Sequence, residues 1–228
     1  MKKLDKDKFL VCLSGGQDSA TCLLQAVKNY GTDNVQAVAF DYGQKHSVEL
    51  TCAQTVAKTL GVNCTVLAMP ALQQIGDSAL FTDADVNAPK DGLPASFVPG
   101  RNIIFLSQAA ALAYKLNCGN LVIGVSEADY SGYPDCRENT LQLLESALNA
   151  GMETDLKIVA PLLHKTKAQV WALARQSGGQ DGVDLIREQT HTCYNGNRET
   201  KHEWGYGCGA CPACQLRSRG YAEFIGGS

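Results

Sequence analysis

The sequence predicts an α/β protein, a doubly wound parallel sheet of five strands followed by a cysteine-rich C-terminal segment. Three observations carry this. Short apolar runs alternate along the chain with segments whose apolar residues recur at the helical period. A glycine-serine turn joins the first strand signal to the first helix signal, and four cysteines crowd the C-terminal segment.

Phe9 to Leu13 is the first apolar run, and beyond its turn Ala20, Leu23, Leu24 and Val27 repeat at helical spacing up to Gly31, which closes the helix. Val35 to Phe40 reads as the second strand, Leu50 to Leu60 as a helix stopped by Gly61, and Val62 to Leu67 as the third strand. Pro70 to Gly100 carries Asp, Pro and Gly and is too long for a simple connector; it predicts a substrate lid or partner surface. Ile103 to Leu116 is an apolar helix with Asn102 as its N-cap, Leu121 to Val125 the fourth strand, Asn139 to Ala150 a helix, and Ile158 to Ala160 the fifth strand. Thr166 to Gln176 is helical by pattern, and the Phe-Ile-Gly-Gly-Ser ending reads as a flexible tail or a foreign remnant. Right-handed crossovers then cover the sheet on both faces. A strand order of 3-2-1-4-5 puts the topological switch between the first and fourth strands, where Ser14 to Ser19 and Ser126 to Arg137 would face one another.

A chain of 228 residues, 45% of them hydrophobic, fills one substantial core, so the expectation is a body over 1–185 with a segment over 186–228 packed on it. A net charge of −3 gives no long-range pull on a polyanion, which argues against nucleic acid as a partner. Met1 to Lys8 alternates charge, and the apolar run Ile103 to Leu116 is too short to span a bilayer; a soluble cytoplasmic protein with no membrane partner is expected.

The turn Ser14-Gly15-Gly16-Gln17-Asp18-Ser19 is an anion cradle by composition. Its glycines let the backbone approach a phosphate, its serines add hydroxyl donors, and the following helix aims free N–H groups at the same point. It lacks the Lys-Ser/Thr ending that holds the terminal phosphate and magnesium in a Walker loop. Such a cradle suits pyrophosphate as a leaving group while the α-phosphate of ATP is attacked, giving an adenylate. Asp18 either binds Mg²⁺ or caps the helix.

At the other end Cys208, Cys211 and Cys214 form C-x-x-C-x-x-C, and Cys193 completes four sulfurs able to surround one Zn²⁺. A closed four-sulfur shell makes that zinc structural, with an iron–sulfur cluster as the rival occupant. Cys12, Cys22, Cys52, Cys64 and Cys118 read as buried small hydrophobes, with Cys136 set apart in a functional loop. In that loop Tyr130 and Tyr133 offer π faces to a flat heterocycle, and Glu127, Asp129 and Asp135 offer acceptors for ring N–H and amino groups. Arg101 stands on a tight turn at a helix start, where a guanidinium suits a carboxylate or phosphate, the alternative being a surface arginine beside a capping Asn102. Asp41 and Gln44 follow the second strand, where a base or ribose would lie, and Lys167 either neutralises phosphate or is solvated at its helix start. His46, His164, His191 and His202 share no metal spacing and receive no role.

The six-residue cradle resembles the PP-loop of the N-type ATP pyrophosphatases. Together with FDYGQKH, FVPGRN, SGYPDCRE, TCYNG and CGACPACQLRSRGY, it makes the chain similar to the 7-cyano-7-deazaguanine synthase (QueC) family from about Phe9 to Tyr221. The resemblance implies a Rossmann-like adenine nucleotide α-hydrolase fold, a homodimer, and ATP-dependent conversion of 7-carboxy-7-deazaguanine and ammonia to the nitrile in queuosine biosynthesis. It implies ATP contacts from Leu13, Ser14, Gly15, Gly16, Gln17, Asp18, Ser19, Ala20, Thr21, Cys22 and Leu23, with Asp41 and Gln44. Substrate contacts are implied from Arg101, Asn102, Glu127, Asp129, Tyr130, Tyr133, Asp135, Arg137 and Lys167, and catalytic roles for Ser14, Asp18, Ser19 and Arg101. The interval from Cys193 to Cys208, with its Asn-Arg-Glu-Thr-Lys-His-Glu-Trp insert, is longer than the family pattern leads one to expect. Other readings are a tRNA-thiolating PP-loop enzyme, a relative passing its acyl adenylate to another amine, and a zinc-ribbon module that senses ATP.

Overall fold

The computed structural model describes residues 1–43, 48–74, 97–126 and 133–227. Five strands, β1 (Asp5–Cys12), β2 (Val35–Asp41), β3 (Cys64–Ala68), β4 (Cys118–Val122) and β5 (Lys157–Val159), form one parallel sheet in the order β3-β2-β1-β4-β5. β1 sits in the middle, and its last four residues are all buried, as a strand covered on both faces requires. Alternate side chains divide between two cores. Phe9, Val11 and Leu13 pack with helices α1 (Gln17–Tyr30), α2 (Val48–Thr59), α5 (Lys167–Gln189) and α6 (Pro212–Gly226) on one face. Leu10 and Cys12 pack with α3 (Arg101–Leu116) and α4 (Glu138–Met152) on the other.

Several boundaries differ from the sequence expectation. The fourth strand ends at Val122, and residues 123–126 form the loop that turns over the sheet edge. Helix α3 begins at Arg101 behind the left-handed Gly100 (φ 68°), so Asn102 lies inside the first turn and is not the N-cap. Helical turns continue beyond Gln176 to Gln189, but α5 is two helical stretches meeting at a kink at Gly179 (φ 63°, ψ −147°), and position 186 falls inside the second. The C-terminal residues through Gly226 belong to α6, with Phe224 buried in the core, so that stretch is no loose tail. The insert before Cys208 folds as an antiparallel hairpin of β6 (Lys201–His202) and β7 (Gly205–Tyr206). The 3₁₀ turn Pro70–Gln74 is all that is described of the predicted lid up to residue 96; residues 75–96 lie outside the described residues. No helix among the described residues is long and apolar enough to cross a membrane.

Candidate active site

The turn between β1 and α1 reverses the chain with Gly15 at φ +84°, a conformation glycine adopts without strain. Space forbids anything larger, since a Cβ there would lie 2.1 Å from the backbone carbonyl oxygen of Glu49. Gly16 is the N-cap of α1 and offers no side chain to its first N–H groups, which leaves the positive end of the helix open. The two serines brace the turn: Ser14 N–H donates to Ser19 Oγ at 3.1 Å, and the hydroxyl oxygens are 3.0 Å apart.

Asp18 is the second residue of α1 and makes no cap. Its Oδ2 accepts from Lys167 Nζ at 2.6 Å, while Oδ1 is buried with no hydrogen-bond partner among the described residues. Lys167 is therefore drawn from the start of α5 to the loop instead of standing in solvent, with 11% of its side chain exposed. Gln17 is buried, and both of its side-chain polar atoms also lack partners among the described residues. Buried orphans of this kind are expensive unless a ligand satisfies them. His191 completes the rim: its backbone N–H donates to the Gly15 carbonyl at 2.9 Å, and its Nε2 donates to the Cys193 carbonyl at 3.0 Å.

Two adjoining cavities open beside this turn. One, of about 250 Å³, is a largely apolar slot between Leu13, Phe40, Tyr42, Phe105, Ile123 and Val125. The other, of about 410 Å³, runs along Gly16, Gln17 and Asp18 to Lys167, His191 and Thr192. Ser14, Ser19, Glu49, Arg101, Asn102, Gly124, Val125, Tyr133 and Tyr194 line both. The loop after β4 thus meets the turn after β1, as the strand order predicts, and it does so closely: a Cβ on Gly124 would lie 2.8 Å from the Ser19 nitrogen.

Arg101 projects from the start of α3 to the junction of the cavities. Burial works against its charge, but Tyr42, Tyr133, Asp135 and Glu49 together outweigh that and hold the guanidinium charged. Burial pushes the Tyr42 phenol up to about 12, with Arg101 hydrogen-bonded to it. Burial likewise lifts the Glu49 carboxyl to about 7, opposed by the positive charge of Arg101.

The structure brings together Leu13, Ser14, Gly15, Gly16, Gln17, Asp18, Ser19, Lys167, Arg101, Asn102 and Tyr133. Several implied contacts stand apart from the two cavities. Ala20, Thr21, Cys22 and Leu23 are buried on α1 one turn further from its open end, with Ala20, Cys22 and Leu23 in the apolar core and the Thr21 hydroxyl donating to the Gln17 carbonyl. Arg137 is exposed and lines neither cavity, and Asp41 is exposed at the end of β2, accepting from the Gly43 N–H. Asp135 is buried as a strut: its carboxylate accepts from the Asn102 N–H at 2.9 Å and the Asn102 side-chain amide at 3.1 Å. Cys136 is buried beside it. Gln44, Glu127, Asp129 and Tyr130 lie outside the described residues. Glu49, His191 and Tyr194 carry no role in the sequence reading; His191 has only its place near Cys193 as a signal, and Tyr194 its place in the TCYNG motif.

The four predicted cysteines converge. Their sulfurs lie within 4.8 Å of one another, close to the spacing of about 3.8 Å that a tetrahedral ion with metal–sulfur bonds near 2.3 Å imposes. Backbone N–H groups already point at them, from Cys208 to Cys193 Sγ at 3.4 Å and from Cys211 to Cys208 Sγ at 3.3 Å, the outer-shell pattern that stabilises thiolates. Arg217, fully buried, ties the segment down: it donates to Thr190 Oγ1, Thr192 Oγ1 and the carbonyls of Ile186 and Trp204 at 2.8–3.0 Å. The set could hold one metal ion in a closed shell.

The family model described as queuosine biosynthesis protein QueC matches residues 8–225. A 7-cyano-7-deazaguanine synthase of Rhodopseudomonas palustris (strain BisB18) is 50% identical over 232 residues, covering 97% of this chain and 95% of that protein. Another, of Nitrobacter hamburgensis, is 48% identical over 227 residues, covering 95% and 94%. Among solved structures, an NH3-dependent NAD synthetase from Campylobacter jejuni in complex with the nitrate ion aligns at 16% identity over 80% of this chain and 68% of that one, with a TM-score of 0.48.

Proposed function

The chain belongs to the queuosine biosynthesis protein QueC family, and we propose on that premise that it is an ATP-dependent 7-cyano-7-deazaguanine synthase. It would take 7-carboxy-7-deazaguanine, ammonia and ATP to the nitrile, with AMP and pyrophosphate as by-products. The observation that carries this reading is the braced Ser14–Ser19 turn, set at the sheet's switch point directly beside a slot of the right character for a flat heterocycle.

The substrate carboxylate attacks the α-phosphate of ATP, and pyrophosphate leaves into the cradle of Ser14, Gly16, Ser19 and the open N–H groups of α1. Lys167 lies where it would neutralise the departing charge, held to that position by Asp18. Arg101 would orient the carboxylate, and Tyr133 would stack on the ring. Ammonia displaces AMP to give the amide; the amide oxygen is adenylated in the same way, and loss of AMP leaves the nitrile. Positioning and charge stabilisation suffice, and no nucleophilic side chain is needed.

The orphaned Oδ1 of Asp18 fits a hard cation, and Mg²⁺ there would screen the triphosphate. Cys193, Cys208, Cys211 and Cys214 would hold one structural Zn²⁺, which fixes the last segment of the chain onto α5. A cytoplasmic homodimer without nucleic-acid partners, with a body over 1–185 and a metal-binding segment over 186–228, completes the proposal. The test is incubation with 7-carboxy-7-deazaguanine, ATP, Mg²⁺ and ammonium: nitrile and AMP are expected, and ADP without AMP would contradict the mechanism.

A further inference from the structure

In an acyl adenylate the reactive carbonyl carbon lies between the heterocycle and the phosphorus. It therefore has to sit where the apolar slot meets the phosphate-side cavity. Among the described residues that line both, Glu49 is the one carboxylate. It stands in the first turn of α2, whose backbone touches the Gly15 turn, so its position is fixed relative to the cradle. Arg101 and Tyr133 share the junction, but a guanidinium does not surrender its proton there.

We propose that Glu49 is the general base for the nitrogen nucleophile, an assignment that rests on the adenylation reading above. Ammonia's lone pair attacks the acyl carbon and the C–N bond forms, leaving the nitrogen cationic. One N–H proton passes to the Glu49 carboxylate. The C–O bond to AMP breaks, its electron pair departs on the phosphate, and the amide remains. Glu49 then returns its proton to solvent. In the second round the amide oxygen attacks the α-phosphate and pyrophosphate leaves. The resulting iminium sheds one N–H proton to water, and the neutral O-adenylyl imidate gives its remaining N–H proton to the Glu49 carboxylate as the C–O bond breaks, AMP leaves with that electron pair and the C≡N bond is completed.

A base works best when its affinity for the proton matches the working pH, and burial has brought this carboxyl to about 7. The charged and titratable groups that bear on it among the described residues are Arg101 of α3, Tyr42 after β2, and Cys52 on α2 itself. Arg101 keeps the carboxylate from rising further; substrate carboxylate bound to Arg101 would weaken that pull, and conversion to the acyl adenylate would restore it.

Glu49→Gln separates the steps. Acid-dependent exchange of labelled pyrophosphate into ATP reads adenylation alone, whereas nitrile formation also requires ammonia addition. The expected result is a loss of at least about 100-fold in nitrile formation with a far smaller loss in exchange. The acid limb of the kcat–pH profile, expected near pH 7 in the parent, should vanish in Glu49→Gln and persist in Glu49→Asp. Hydroxylamine, whose nitrogen is more acidic after addition and sheds its proton to water, should give hydroxamate with a much smaller deficit. Nitrile formation within about threefold of the parent, or equal losses in exchange and nitrile formation, would overturn the assignment. Absence of exchange in the parent enzyme would instead remove the adenylation reading on which it stands.

Discussion

The backbone N–H of His191 donates to the Gly15 carbonyl at 2.9 Å, which stitches the segment entering the cysteine cluster to the phosphate-side turn. Only Thr192 separates His191 from Cys193. A metal held by the cysteines would then bear on the shape of the nucleotide cradle through this bond.

Removing the metal tests the link. A zinc–thiolate site contributes on the order of 10 kcal/mol of binding that is folding energy for the segment around it. Cys193→Ser should drop bound zinc from about one per chain to none, lower the unfolding midpoint, and weaken ATP binding in calorimetry. Unchanged ATP affinity in the metal-free protein would show that the stitch does not govern the loop.

Lys167→Met removes the partner of Asp18 and, among the described residues, the one ammonium lining the phosphate-side cavity. Loss of one preformed charge donor at a departing anion costs on the order of 100-fold, so kcat/KM for ATP should fall by about that much. Steady-state kinetics with the circular dichroism of the variant distinguishes this from misfolding.

Gly15→Ala meets two obstacles at once. The left-handed backbone costs about 1–2 kcal/mol for a residue with a Cβ, and the new carbon would collide with backbone at 2.1 Å. The turn has to move, so turnover should fall below about 1% of the parent even where the variant remains folded by thermal melt.

The fold and the nucleotide turn were legible because each rests on local chemistry. Alternating strand and helix signals point to a parallel sheet, for which the order 3-2-1-4-5 is assumed and is the one found, and Ser-Gly-Gly-x-Asp-Ser marks an anion cradle by composition. The cysteines were readable from spacing alone. The α3 start was not, because the Asn102 N–H in its first turn is served by Asp135, 33 residues away, a partner no local pattern reveals. The helix read over Thr166 to Gln176 ends close to the break at Gly179, and the helical turns beyond that glycine, up to Gln189, lie outside that reading. Glu49 is hidden for the opposite reason. Its place in an ordinary helix first turn looks like a solvated charge, and only the fold over Gly15 makes it a cleft residue.

That burial has a cost with a definite sign. A carboxyl lifted to about 7 in the folded protein binds its proton more tightly than in the unfolded chain, so between roughly pH 4.5 and pH 7 stability falls as pH rises. Glu49→Gln abolishes the slope. Allowing for the residue's partial exposure, the variant should gain on the order of 2 kcal/mol at pH 8 and almost nothing at pH 4, read from urea unfolding at the two pH values.

The fate of the substrate's carboxylate oxygens tests the adenylation chemistry most directly. With 7-carboxy-7-deazaguanine labelled by ¹⁸O in both carboxylate positions, the first oxygen should leave on one AMP when ammonia adds, and the second on another AMP when the nitrile forms. Mass spectrometry should then find one ¹⁸O in the phosphate of each AMP and none in pyrophosphate. Label appearing in orthophosphate alongside ADP would place the attack on the γ-phosphate and contradict the role assigned to the Ser14–Ser19 cradle.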